Sequence, residues 1–224
     1  SKDYTISVTD VNEAPSALAL STSTFNENAA GATIGTLSAT DPDSGETFTY
    51  AITGTDKDSF ELEGTTLKLK DSISADFESD SSYSITLTAT DSADNTVSKD
   101  YTISVTDVNE APSALALSTS TFNENAAGAT IGTLSATDPD SGETFTYAIT
   151  GTDKDSFELE GTTLKLKDSI SADFESDSSY SITLTATDSG SNTVSKDYTI
   201  TVSDVNETPT ITSAATSSLS ENTS

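Results

Sequence analysis

The chain contains no cysteine, histidine, methionine, tryptophan or arginine. Each absence closes a class of chemistry. Without cysteine there is no disulfide framework, no thiolate metal site and no thiol nucleophile. Without histidine there is no imidazole acid–base catalyst and no histidine-bound zinc. Positive charge is also scarce. Nine Lys stand against 37 Asp and Glu, for a formal net charge of −28 over 224 residues. A surface that negative repels phosphate backbones and anionic headgroups, so nucleic acid and bare membrane surfaces are poor partners. Long hydrophobic runs are missing as well, and no apolar stretch approaches the ~20 residues that a membrane-spanning helix needs.

Ser and Thr are abundant instead, 79 residues together. Acidity with few aromatics is a mark of disorder, but here the apolar residues are patterned. Phe48, Tyr50 and Ile52 alternate, as do Tyr83, Ile85, Leu87 and Ala89, then Tyr101, Ile103 and Val105. Period-2 alternation among β-branched neighbours predicts half-buried strands. No stretch carries a helical apolar face of useful length.

An internal repeat fixes the organisation. Residues 1–97 recur as 98–194, and only two positions differ: Ala93 becomes Gly190 and Asp94 becomes Ser191. A third, altered copy starts at Ser195, so the chain reads as a piece of something longer. The string DVNEAP closes one strand and carries a Pro that a central strand cannot hold. Boundaries placed there give repeats at 14–110 and 111–207. Residues 1–13 become the last strand and linker of a preceding repeat, and 208–224 the start of a following one. About seven short strands in ~97 residues, broken by turn strings such as DPDSGE, predict an all-β fold. The expectation is tandem Greek-key, immunoglobulin-like β-sandwiches arranged end to end. Lys99 and Lys196 interrupt the inward parity of the last strand and read as protection against strand-to-strand aggregation.

The acids cluster at predicted strand ends, which converge at the poles of a sandwich. Glu27 lies between Asn26 and Asn28, and Asp41-Pro42-Asp43 closes the second strand. Asp76-Phe77-Glu78 precedes a long strand that Asp91 ends, and Asp107-Val108-Asn109-Glu110 ends the last strand. Several hard oxygen ligands per site, some able to bind bidentately, suit Ca²⁺. An isolated acid pair would be a solvated turn; the ordered recurrence of all five motifs favours the cation.

In that order, ENAAG, ATDPDSG, DFE, TATDS and DVNEAP resemble the cadherin repeat in its bacterial, cadherin-like form. The resemblance covers both full repeats. It implies three Ca²⁺ ions in each interdomain junction, which stiffen the array. Carried over residue by residue, the first repeat supplies Glu27, Asp76 and Glu78. The linker supplies Asp107, Asn109 and Glu110 with the carbonyl of Val108, and the second repeat supplies Asp138, Asp140 and Asp188. The linker departs from the family's DxNDN pattern: Glu110 replaces Asp and Ala111 replaces Asn. Half-sites follow at the outer ends: Asp10, Asn12, Glu13, Asp41, Asp43 and Asp91 upstream, and Glu124, Asp173, Glu175, Asp204, Asn206 and Glu207 downstream.

The resemblance implies an extracellular protein at the cell surface. Two non-enzymatic roles fit. One is a calcium-rigidified spacer that extends a large bacterial adhesin, its partners being adjacent repeats of the same chain. The other is a recognition module with homophilic or polysaccharide contacts. Near-identity of the repeats favours the spacer, which needs length and no unique surface. Paired carboxylates could hydrolyse a glycoside, but that requires a general acid with a raised pKa and usually aromatic platforms. Tryptophan is absent, and a cation at the poles would lower carboxyl pKa values, so no enzyme is expected.

Overall fold

The computed structural model describes residues 2–210. Contacts divide the chain into two compact units, between Asn109 and Glu110. The first holds strands β1 (Ala17–Leu20), β2 (Thr24–Asn26), β3 (Thr33–Thr40) and β4 (Thr49–Thr53). It continues with β5 (Phe60–Glu63), β6 (Thr66–Leu69), β7 (Ser82–Thr90) and β8 (Thr96–Thr106). The second repeats the order: β9 (Ala114–Leu117), β10 (Thr121–Asn123), β11 (Thr130–Thr137), β12 (Thr146–Thr150), β13 (Phe157–Glu160), β14 (Thr163–Leu166), β15 (Ser179–Thr187) and β16 (Thr193–Ser203). A single 3₁₀ turn precedes β5 and another precedes β13. The all-β, Greek-key-like sandwich expected from the sequence is present in each unit.

Each sandwich faces one four-stranded sheet against another. In the first unit the orders are β1-β3-β6-β5 and β2-β8-β7-β4. All pairings are antiparallel except β2 with β8. The long β7–β8 hairpin runs in register from Ser82↔Ser104 to Thr90↔Thr96. Its inward residues, among them Ile85, Leu87, Ala89, Ile103 and Val105, are buried against Leu37, Phe60, Leu67 and Leu69 of the opposite sheet. The outward residues of β7 are Ser and Thr, which explains much of that composition. Burying one leucine is worth about 1.5–3 kcal/mol, and the second unit repeats the core residue for residue.

Eight strands form where the sequence suggests seven, because the first strand changes sheets. β1 pairs with β3, and β2 pairs with β8 on the other side. The crossing at residues 21–23 runs close over Gly35, where a Cβ would lie 2.8 Å from the Thr22 carbonyl. Thr22 also donates its hydroxyl to the Ile34 carbonyl at 2.8 Å. The β3 register slips at this place.

Both substitutions between the repeats fall in the β7–β8 and β15–β16 turns. Asp94 and Ser191 both hold positive φ there, so the turn is conserved in shape. Lys99 lies where β8 pairs only with β7, beyond the reach of β2, and its ammonium stands 4.9 Å from the Tyr101 ring centroid.

Residues 2–13 form no strand, although Lys2–Asp10 is identical in sequence to Lys99–Asp107. Tyr4, Ile6 and Val8 are 84, 88 and 93% exposed, whereas Ile103 and Val105 in β8 are 0 and 5% exposed. The stretch lacks flanking strands here, and an unpaired strand has no ladder to hold it. Most of the stretch expected to open a following repeat, from 211 onward, lies outside the described residues.

Candidate metal centres

The poles of each sandwich are built by short carboxylate loops whose backbones hold the side chains. Glu27, at the end of β2, is 3% exposed. One of its oxygens accepts the Phe77 amide at 2.7 Å and the other the Val108 amide at 2.8 Å. Both carboxylate oxygens are therefore satisfied by backbone N–H donors inside the fold. Glu124 repeats this with Phe174 at 2.8 Å and Val205 at 2.7 Å. These buried glutamates tie the β2 end, the loop before β7 and the chain leaving β8 to one point.

Around that point further acids gather. Glu27, Asp76 and Glu78 each place an oxygen within 4.8 Å of the others. In the second unit Glu124, Glu175, Asp204 and Glu207 do the same. Asp173 stands apart from that second group: its oxygens accept the Ser176 hydroxyl at 2.8 Å and the Glu175 amide at 3.2 Å. The Ser176 hydroxyl lowers its pKa. Asp76 is held alike by Ser79, at 2.9 Å to the hydroxyl and 3.1 Å to the amide. Asp107 and Asn206 are exposed at the ends of their units, and Asn206 donates to the Glu207 carbonyl at 3.4 Å.

The opposite pole carries the other predicted residues. Asp10, Glu13 and Asp43 converge within 4.8 Å. The nearby Asp43 charge, then desolvation, raises the pKa of Glu13. In each DPD string the first Asp accepts the amide of the second, at 2.9 Å for Asp41 and Asp43 and 3.1 Å for Asp138 and Asp140. This leaves Asp41 Oδ2, Asp138 Oδ2 and Asp140 Oδ1 buried with no hydrogen-bond donor among the described residues. Burial first, and the Asp140, Asp188 and Glu143 charges after it, push the Asp138 carboxyl above its usual range against the Asp140 amide.

Asp91 and Asp188 are buried, at 6 and 5% exposed. Asp91 Oδ1 accepts the Ala93 and Asn95 amides at 2.9 and 2.8 Å. Its Oδ2 accepts the side-chain amides of Asn12 and Asn95 at 2.8 and 3.0 Å. Desolvation raises the Asp91 pKa, but these donors outweigh it and the net shift is downward. Asp188 accepts the Asn192 amide at 2.7 Å.

Sequence reasoning passed over Asn95, Asn192 and Asn125. The first two sit four residues after Asp91 and Asp188, and their backbone amides donate back to those carboxylates. Asn125 holds left-handed φ and donates to Glu207 at 2.6 Å. Its position beside Glu124 was the available signal.

Do these residues fit a divalent cation? An unpaired buried carboxylate oxygen carries the full desolvation cost of a charged group, on the order of 1–3 kcal/mol or more. These buried oxygens are hard ligands, and a divalent cation would neutralise them. The donor set is all oxygen, which suits Ca²⁺ and not a soft metal.

The cadherin-domain family model matches residues 21–106 and again 118–203. The chain belongs to the cadherin-domain family. Cadherin domains are extracellular, adhesion-type modules, and calcium binding is typical of them. Human protocadherin-24 EC1-2 is similar at a TM-score of 0.65 and 18% identity, over 88% of this chain and 100% of that one. The EC1-4 portion of protocadherin gamma B3 is similar at 0.64 and 23%, over 89% of this chain and 52% of that one. Mouse cadherin-23 EC22-24 is similar at 0.63 and 22%, over 82% of this chain and 63% of that one. At such identities the likeness is one of fold. The cadherin chain described here thus spans about half of the gamma B3 structure. No curated protein sequence matches it. Among the described residues no helix is long and apolar enough to cross a membrane.

Proposed function

We propose that the repeats are calcium-rigidified extenders of a large extracellular bacterial adhesin, with no catalytic role. Ca²⁺ would occupy the junction between repeats. The ligands would come from Glu27, Asp76 and Glu78, from Asp107, Val108, Asn109 and Glu110, and from Asp138, Asp140 and Asp188. The upstream residues Asp10, Asn12, Glu13, Asp41, Asp43 and Asp91 would form half-sites. So would the downstream residues Glu124, Asp173, Glu175, Asp204, Asn206 and Glu207. Half-sites lack some ligands and so bind more weakly.

The observation that carries this reading is the set of buried carboxylate oxygens with no donor, on Asp41, Asp138 and Asp140. Like charges ~4 Å apart repel by about 4 kcal/mol at an effective dielectric of ~20. Three ions would bring +6 against the eight carboxylates of a junction, and the linker DVNE contains no Gly to keep it flexible. Near-identical repeats suit a spacer, since each adds length, ~40 Å from strands rising ~3.3 Å per residue plus a linker. A spacer would project a binding domain from the cell surface. The second reading is homophilic or polysaccharide recognition. One protocadherin gamma B7 structure that the chain resembles is a cis-dimer, which supports homophilic contact in that protein. Concentration-dependent association, or retention on polysaccharide, separates this reading from a spacer.

The deciding experiment is thermal unfolding in millimolar CaCl₂ and in excess chelator, with NaCl matched for ionic strength. A ligand that binds only the folded state raises the midpoint. A calcium-specific rise is the expected result. Equal midpoints would leave the acids as a solvated coat and the family membership as a statement about fold.

A further inference from the structure

We propose that β4 of the first repeat, and its twin β12 of the second, are pairing edges for a second copy of this chain. The inference rests on the homophilic reading and gives that reading a surface.

Each sandwich has four edge strands, and three of them are blunted. β5 carries Glu61 and Glu63, and Lys68 of β6 reaches Glu61 at 3.2 Å. β2 is only three residues long. β1 follows the buried Pro15, and its Leu18 carbonyl already accepts the Tyr101 hydroxyl at 3.1 Å. Charge, brevity and covering groups keep an edge from pairing with another chain. β4 has none of these. It ends the sheet β2-β8-β7-β4 and, among the described residues, pairs only with β7. Residues 47–55 contain no charge and no Pro. The acids on either side are held on their own sandwich: Glu46 accepts the Ser92 amide at 3.3 Å and Asp56 the Ser84 amide at 2.6 Å.

The side chains along this edge are incompletely covered. Thr49, Ala51 and Thr53 are exposed, and Tyr50 and Ile52 are only partly buried against the core. Phe48, just before β4, is half-buried and is not one of the residues packed on that core. Phe145 repeats this before β12.

The occupant that fits is another β4. Paired antiparallel about Tyr50, two such strands set Phe48 opposite Ile52 and Thr49 opposite Ala51. Aromatic and β-branched residues opposite each other stabilise a ladder. Glu46 then faces Gly54. Pairing about Ala51 instead would set Glu46 against Asp56, and like charges directly opposite are destabilising. The Tyr50 register is therefore favoured, and it joins two four-stranded sheets edge to edge. Five residues a side fall short of the ~1,200 Å² of a stable interface, so the contact is weak and reversible. A net charge of −28 opposes the approach of two copies. Salt removes that barrier, since the screening length falls from about 10 Å at 0.1 M to about 3 Å at 1 M. The uncharged edge loses nothing to screening.

The test is sedimentation of the full chain at rising concentration, in excess chelator so that calcium cannot bridge copies. Wild type should associate reversibly, and more strongly in about 1 M than in about 0.1 M NaCl. Thr49→Lys with Ala51→Lys, and Thr146→Lys with Ala148→Lys, place like charges opposite each other in the Tyr50 register. Together they should weaken association about tenfold or more. They also lower the net negative charge, so general repulsion predicts the opposite sign. The same charge on the β1 and β9 edges, from Ala17→Lys, Ala19→Lys, Ala114→Lys and Ala116→Lys, should not weaken association. A second readout needs no variant. Amide exchange in β4 and β12 should slow as wild-type concentration rises, while β5 and β13 amides keep their rates. A wild type that stays monomeric throughout would overturn this proposal and the homophilic reading together. Association that survives the β4 and β12 lysines in folded chains, or that both lysine sets abolish alike, would overturn the proposal alone. So would unchanged β4 and β12 exchange in a wild type that associates.

Discussion

Glu27→Gln offers a sharp perturbation, because the second repeat supplies the reference within the same molecule. Glu27 is 3% exposed and takes two backbone N–H groups at 2.7 and 2.8 Å. Glutamine is nearly isosteric but has one acceptor oxygen, so its NH₂ must face the second amide. That loses one charge-assisted bond and leaves a buried donor unpaired, a cost of about 2–3 kcal/mol. An opposing effect is relief of repulsion with Asp76 and Glu78, whose oxygens approach within 4.8 Å. Both are exposed, so salt screens that repulsion strongly. The lost hydrogen bonds therefore win at 0.5 M NaCl. For a domain near 100 residues, the loss lowers the midpoint by roughly 10–20 °C. The assay is calorimetry in chelator and 0.5 M NaCl. The first repeat should melt early while the second, with Glu124 intact, stays near the wild-type midpoint. A transition neither split nor lowered would refute the argument that Glu27 organises this pole without metal.

Asp138→Asn with Asp140→Asn should weaken calcium binding and increase bending in calcium, while both sandwiches stay folded. X-ray scattering profiles unchanged from wild type in calcium would count against these ligands. Gly35→Ala should destabilise the first repeat by about 1–3 kcal/mol through overpacking, since its Cβ would press on the Thr22 carbonyl at 2.8 Å; an unchanged urea midpoint would show that the strand crossing yields easily. The pH response in chelator has a defined sign. Desolvation raises the folded-state pKa of Asp138, and the Asp43 charge raises that of Glu13. The folded state then binds more protons than the unfolded one in the window above their ordinary values, 3.8 and 4.5. From these groups stability should rise as pH falls through that window. Below it the sign reverses. The hydrogen bonds that outweigh desolvation at Asp91, and the Ser176 hydroxyl at Asp173, lower those two pKa values, and the stability they confer is lost as pH falls through them. Melting curves from pH 7 to 3 check this, and a monotonic fall across the whole range would contradict it.

Much of the fold was legible because strand parity is written in the order of residues. Tyr83, Ile85, Leu87 and Ala89 alternate in sequence and point one way in β7. The acid motifs were legible too, since Glu27, Asp41, Asp91 and Asp138 stand at the ends of those alternations. Less legible were the groups that hold the acids. Asn95 and Asn192 differ in nothing local from other turn asparagines. Their reach to Glu13 and Glu110 spans 82 residues of chain in each case.

The sequence by itself determined the repeat, the strand faces, the exclusion of thiol and imidazole chemistry, and an all-oxygen set of candidate ligands. Tertiary structure decided which strands pair, where the first strand changes sheets, and which carboxylates are buried without donors. Lys2–Asp10 and Lys99–Asp107 make the division plain. The residues are identical, yet one stretch forms no strand and the other runs through the last strand of a sandwich, β8, into the linker. Strand pairing needs partners on either side and a core to cover, and those come from residues distant in the chain. Alternation sets which face of a strand can be buried; the presence of β2 and β7 sets whether it is.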